Sequence, residues 1–183
     1  MGHKVITPPS MAALIPIAEL LRHLKDEAAD ANRQLEVQGF LAAAHAHAQH
    51  FCGKSFGDQT LELALDAFPE GGILLPMLPV VGIASVKYLD EAGAEQTLSA
   101  SLYSLDTYST QDHWLLPAFG SEWPATIDSP NAVKVRYTTG GALPAAVRNA
   151  LLLHVAALDM NREDAEPPAA VAALLNTEKV WAL

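Results

Sequence analysis

Three histidines lie close together in the first third of the chain, and imidazoles are common ligands of transition metals. His45, His47 and His50 fall on one predicted helix. His47 and His50 are neighbours at a spacing of i, i+3, whereas His45 points to a different face. A functional metal site needs a third or fourth ligand, and none follows nearby in the sequence. The spacing therefore favours a solvated or packed helix face, and we predict no metal site.

The chain has one cysteine, Cys52, which falls at the predicted C-terminal end of the same helix. The helix dipole disfavours a thiolate there, so we predict a small buried apolar side chain rather than a nucleophile. The G-x-S-x-G elbow is absent, as are the phosphate-binding patterns G-x-x-x-x-G-K-[ST] and G-x-G-x-x-G. We therefore predict no catalytic residue and no cofactor.

Carboxylates are concentrated in the middle of the chain, where residues 57–141 carry eleven acidic and three basic residues. A pair of them could serve acid–base chemistry, but their spacing singles out no pair, and turn formation accounts for most. Trp114, Phe119 and Trp123 could stack on a ligand or pack the same section. An enzyme with a dispersed acidic site is thus the rival class, and it requires a pocket with converging carboxylates.

Composition narrows the class of protein further. The chain has 183 residues, of which 50% are hydrophobic and 17% charged, which suits about one domain with a real core. A formal net charge of −10 argues against a protein that grips nucleic acid by neutralising phosphates. No apolar run is long enough for a membrane span, and the N-terminus lacks the apolar region of a secretory signal.

The hydrophobic pattern changes period twice along the chain, which predicts an α+β fold. Ile17, Leu20, Leu21 and Leu24 form one helical stripe, whereas residues 59–65 alternate as in a half-buried strand. We predict helices near 16–26, 28–52, 144–160 and 169–176, and an antiparallel β insertion over about 58–139. The corresponding domains are a discontinuous small helical bundle, 1–56 plus 142–183, and an inserted β subdomain, 57–141.

Several short stretches resemble one family in order and spacing. Ala18-Glu19 followed by His23-Leu24 has the form A-E-x-x-x-H-L at the start of a first helix. An alanine-rich second helix closes at Gly53-Lys54, and the run 123–137 is the most telling match. The series resembles the head–tail connector (adaptor, head-completion) proteins of tailed bacteriophages and prophages, in the subgroup with a β insertion between connector helices. The C-terminus departs from the family pattern and keeps only its tryptophan.

The resemblance implies a structural protein of the virion rather than an enzyme. Such proteins form a homo-oligomeric ring between the portal protein and the tail-completion proteins, extend the DNA channel and complete the head. DNA would pass through without sequence-specific binding, and before assembly the subunit would reside in the host cytoplasm. The family contributes no catalytic residues. Another virion-assembly or tail-completion adaptor module is the nearest alternative.

Two surfaces of such a ring can be suggested from the sequence. Two sets of acidic residues are candidates to line or rim the lumen, because strong phosphate contacts would hinder sliding DNA. One set is the acids of the β section, and the other lies near the end of the third long helix and consists of Asp159, Glu163, Asp164 and Glu166. The apolar side chains of Trp181 and Leu183 are candidates to dock on the portal or a neighbouring subunit, and packing on their own bundle is the alternative.

Overall fold

A computed structural model describes residues 2–161 and 166–180. The chain has an α+β fold with antiparallel sheets, as the sequence predicted. It divides into two compact units, one made of Met1–Pro8 and Asp58–Gly141 and the other of Pro9–Gly57 and Ala142–Leu183. We refer to them as the β unit and the helical unit.

The helical unit contains five helices in its described residues. They are α1 (Met11–Leu14), α2 (Ile17–Leu24), α3 (Ala31–Cys52), α4 (Ala145–Met160) and α5 (Ala169–Leu175). The Asp30 side chain caps α3 by accepting from the Arg33 amide, and Gly53 ends it in the left-handed conformation, with φ of 66°. None of the described helices is long and apolar enough to cross a membrane.

The core of the helical unit forms where α3 packs against α4. Val37, Leu41, Ala44 and Ala48 form a seam on α3, and all four are buried, together with Val147, Ala150 and Leu151 of α4. Alanine at the contact positions allows the helix backbones to approach closely. Because the seam spans about three turns of α3, it fixes which of the remaining α3 side chains stay at the surface.

The β unit contains two antiparallel sheets. The strands are β1 (Gly2–Thr7), β2 (Gln59–Leu65), β3 (Ile73–Leu75), β4 (Val80–Leu89), β5 (Glu95–Thr97), β6 (Tyr103–Asp106), β7 (His113–Pro117) and β8 (Val133–Thr139). The larger sheet has the order β1-β2-β8-β4-β5 and the smaller one β3-β7-β6. Two hydrogen bonds link them, from the Val80 amide to His113 Nδ1 (3.1 Å) and from Tyr137 Oη to the Pro76 carbonyl (3.1 Å).

The N-terminal strand corrects one boundary of the sequence analysis. We assigned residues 1–56 to the helical bundle, whereas Met1–Pro8 belongs to the β unit. Strand β1 pairs with β2, with Lys4 opposite Glu62 and Val5 opposite Leu61. All six of its residues are exposed, so it lacks the buried alternation that reveals a strand in a sequence.

Candidate assembly surfaces

Asp159, the first lumen candidate, lies near the end of α4 and forms an ion pair inside the helical unit. Its carboxylate lies 2.7 Å from Nη2 of Arg33, which also binds Asp26 and Glu36, at 2.9 Å each. Hydrogen bonds to these three carboxylates raise the pKa of the Arg33 guanidinium further above its usual range. The Asp159 side chain is only 19% exposed, so much of its charge is directed at Arg33.

The other predicted surface residues divide into two groups. Glu166 is exposed on the segment that leads into α5. Glu163, Asp164, Trp181 and Leu183 lie outside the described residues. A substitution at Asp159 would break its ion pair with Arg33. Glu166 is therefore the exposed acidic candidate at which a surface role can be tested without disturbing that ion pair.

Two of the three histidines of α3 pack within the helical unit, and His50 is exposed. His45 is buried, and its Nε2 lies 2.7 Å from the Phe56 carbonyl oxygen. The rings of His47 and His154 meet edge to face, with centroids 5.2 Å apart. Among residues 2–161 and 166–180, no cluster of three or more His, Cys, Asp or Glu side chains could hold a metal ion. The sequence analysis favoured a solvated or packed helix face for these histidines, and His45 and His47 are packed.

The predicted burial of Cys52 is confirmed. The thiol donates to the Leu175 carbonyl oxygen at 3.5 Å, and burial raises its pKa to about 11. A thiol with so high a pKa carries almost no thiolate at neutral pH. Its environment is that of a packed apolar side chain.

The three aromatic residues suspected of ligand stacking behave differently from one another. Trp123 stacks on Phe68 at 4.9 Å and donates from Nε1 to the Gly71 carbonyl oxygen at 2.7 Å. Phe119 is fully exposed, and Trp114 is 38% exposed. Of these three, only Trp123 therefore packs firmly in the β unit, where it attaches the long β7–β8 connection to Phe68 and Gly71.

The outward face of the larger sheet carries a group of cations that sequence analysis did not select. In one row across the strands, Gly2, Ala64, Lys134 and Lys87 are in register. The next row places Lys4, Glu62, Arg136 and Ser85 side by side. The opposite side chains of β8, at 133, 135 and 137, are buried, so the cations point outward. We call this surface the cationic face.

Glu62 lies between Lys4 and Arg136 on the cationic face and neutralises part of its positive charge. Its two carboxylate oxygens lie 2.9 Å from Lys4 Nζ and 2.7 Å from Arg136 Nη2, and these contacts lower its pKa. The alternation of Lys134 and Arg136 with buried residues was visible in the sequence. What the sequence concealed was the register that aligns strands β1, β2, β8 and β4.

The fold of the whole chain occurs in solved structures of phage-like particles. No protein-family profile and no curated protein matches the sequence. A chain from the virion of a native gene transfer agent particle is 24% identical, with a TM-score of 0.81. Chains from the neck of the empty particle, computed with C6 symmetry, and of the native particle, computed with C12 symmetry, are 24% and 26% identical. Their TM-scores are 0.82 and 0.79.

These matches cover all of this chain and nearly all of each matched chain. Each covers 100% of this chain and 97% of the matched chain. Structural neighbours of this chain thus occupy the neck of a gene transfer agent particle. Their position is consistent with the resemblance to head–tail connector proteins that the sequence suggested.

Proposed function

We propose that this chain is a structural subunit of a virion neck, in which copies form a closed ring between the portal and the tail. The observation that carries the proposal is the full-length match to two neck chains, from neck structures computed with C6 and C12 symmetry. The ring extends the DNA channel of the filled head and offers a platform to the tail-completion proteins. In this role the chain acts by shape and contact, and needs no catalytic group.

Ring formation is the first test of the function. We expect negative-stain electron microscopy of the concentrated protein, alone and with its portal, to show closed rings with a hole wide enough for duplex DNA. Heterologous contacts between identical subunits produce such rings when the rotation closes. If neither sample contains rings, and particles assembled with the tagged chain carry no extra density in the neck, the proposed function is wrong.

Charge at the lumen gives a second test. We propose that Glu166, with Glu163 and Asp164, lines or rims the channel, where negative charge keeps phosphates from sticking. The exposed Glu166 is the variant of choice, because Asp159 is tied to Arg33. We expect Glu166→Lys to leave neck assembly intact and to slow DNA ejection several-fold, and Glu27→Lys, an exposed acid of the α2–α3 loop, to serve as control. Equal ejection rates for wild type and Glu166→Lys would contradict this placement.

The apolar C-terminus is assigned a docking role in the same proposal. Trp181 and Leu183 are costly to leave in water and would lie against the portal or a neighbouring subunit. The described chain ends at Val180, whose amide donates to the Cys52 carbonyl oxygen at 2.9 Å. The segment is therefore held to the end of α3 just before these two residues.

A further inference from the structure

Charges in the β unit are segregated between the strands and the connecting segments. The unit has four basic and eleven acidic residues. All four basic residues lie on the cationic face, at Lys4, Lys87, Lys134 and Arg136. Of the acids within the strands of this sheet, only Glu62 and Glu95 share that face, where Glu95 lies 2.8 Å from Lys87. The face therefore has an excess of two positive charges in a unit that is strongly negative elsewhere.

The cationic face has a depression that suits a carboxylate side chain. Among residues 2–161 and 166–180, Lys134 has no carboxylate within ion-pair distance and acts on Glu95 only from farther away, whereas the other three cations form ion pairs. Between Lys134 and Lys4 lie the small residues Gly2 and Ala64, which leave a shallow open space of about 430 Å³. His3, Asn131 and the Glu62 carboxylate, which is already paired with Lys4 and Arg136, also line this space. An extra methyl group on Gly2 would meet no atom within 4 Å. A side chain entering this space would come close to Lys134.

Most of the remaining acids of the β unit collect at one end of it. The end of β2, the start of β8 and the end of β4 coincide, because Leu65 pairs with Val133 and Val133 with Tyr88. Phe68 contacts both Tyr88 and Trp123, which brings the segments around residues 70 and 122 to the same end. Six acidic residues therefore lie at this end of the β unit: Asp66, Glu70, Asp90, Glu91, Glu122 and Asp128. We call this surface the acidic end.

We propose that the cationic face of one copy receives the acidic end of the β unit of a second copy. The inference rests on the proposed ring and assigns its charged side-to-side contact. The cationic face and the acidic end are different surfaces of the same unit, so a contact between them is heterologous. Heterologous contacts are the type that generates rings. Complementary charge at such a contact fixes the register of the partners and accelerates their encounter.

A second copy fits this face better than a nucleic acid does. Phosphate binding draws its affinity from cations that are free to replace counterions, whereas Lys4, Arg136 and Lys87 are already engaged by Glu62 and Glu95. A whole-chain charge of −10 also repels a duplex. The acidic end instead offers a few discrete carboxylates. These match Lys134, which has no carboxylate of the described residues within ion-pair distance, and the local excess of two positive charges.

Charge reversal and charge swap test the contact. Lys134→Glu on the face and the double change Glu91→Lys with Asp128→Lys at the end each replace attraction by repulsion. We expect each to lower the self-association constant about tenfold in sedimentation velocity at low salt. The triple variant, which swaps the signs, is expected to regain wild-type association within about threefold. Matched controls are Asp58→Lys, at the opposite end of β2, and Arg22→Glu in α2, both exposed and both expected to associate normally.

The outcomes separate this inference from the proposed function. Normal association of Lys134→Glu, or a triple variant no better than its parents, overturns the contact while rings in the neck still support the function. Wild-type protein that stays monomeric at low salt also overturns it, because electrostatic attraction is strongest there. Binding of a labelled DNA duplex that Lys134→Glu abolishes would assign the face to nucleic acid instead. Thermal melting by circular dichroism verifies that every variant is folded.

Discussion

Replacing Arg33 by methionine is expected to lower the free energy of unfolding of the helical unit by about 2 kcal/mol. The guanidinium binds Asp26 in the α2–α3 loop, Glu36 on its own helix and Asp159 on α4. Methionine keeps the length of the stem but leaves three carboxylates close together without a counter-charge. Denaturant titration followed by circular dichroism at 222 nm measures the change.

The size of this effect follows from the partial burial of the cluster. Exposed ion pairs contribute up to about 1 kcal/mol, and breaking a buried pair costs about 3–5 kcal/mol. The Arg33 side chain is 20% exposed and its partners 19–38%, so the expected loss falls between these limits. Water screens the Asp26 and Glu36 contacts more than it screens the contact with Asp159.

Two further variants distinguish the cluster from a general effect of charge. Arg33→Lys keeps the positive charge but cannot present three separate donors in a fork, so an intermediate loss is expected. Arg22→Met removes an exposed cation of the same unit and is the matched control. The interpretation fails if Arg33→Met costs no more than Arg22→Met.

The helices could be predicted from the sequence because their signals are local. The stripe from Ile17 to Leu24 and the seam from Val37 to Ala48 repeat at helical spacing, and Gly53 marks the end of α3. The observed bounds of α2 to α5 lie within three residues of the predicted ones. Strand β8 also has a local sequence signal, because the apolar residues Val133, Val135 and Tyr137 alternate with cations. All three apolar residues are buried in the structure.

Features that depend on distant partners could not be predicted in this way. Strand β1 gains its structure from pairing with β2, more than fifty residues later, and has no buried side of its own. Arg33 meets Asp159 across 126 positions. The cationic face depends on the register of four strands, which hydrophobic alternation within each strand does not specify.

Acid is expected to destabilise the helical unit through two histidines that are buried in the neutral form. The Phe56 carbonyl can only accept, so Nε2 of His45 carries the proton, and Nδ1 accepts from Gln49 Nε2 at 3.4 Å. Burial lowers the pKa of His45 despite that backbone contact. Burial also lowers the pKa of His154, and a charge on the neighbouring His47 would lower it further.

The direction of the effect follows from proton linkage. Both histidines have a folded-state pKa below the unfolded value of about 6.5, so the unfolded chain binds more protons as the pH falls. Stability is therefore retained above the unfolded pKa and is lost as the pH falls toward and through the folded pKa. Two histidines acting together would give a slope of up to about 2.7 kcal/mol per pH unit. Denaturant titrations of the 222 nm signal at several values between pH 7.5 and 5 measure this slope.

His154→Leu tests the assignment most directly. Within the described residues, neither Nδ1 of His154 nor Nε2 of His47 has a hydrogen-bond partner, so leucine removes a buried polar atom as well as a titrating group. We expect unchanged or higher stability at pH 7.5 and a slope smaller by about 1.4 kcal/mol per pH unit. His50→Gln removes an exposed imidazole from α3 and is the matched control. Equal loss of slope in the two variants would mean that the number of histidines, and not their burial, sets the acid sensitivity.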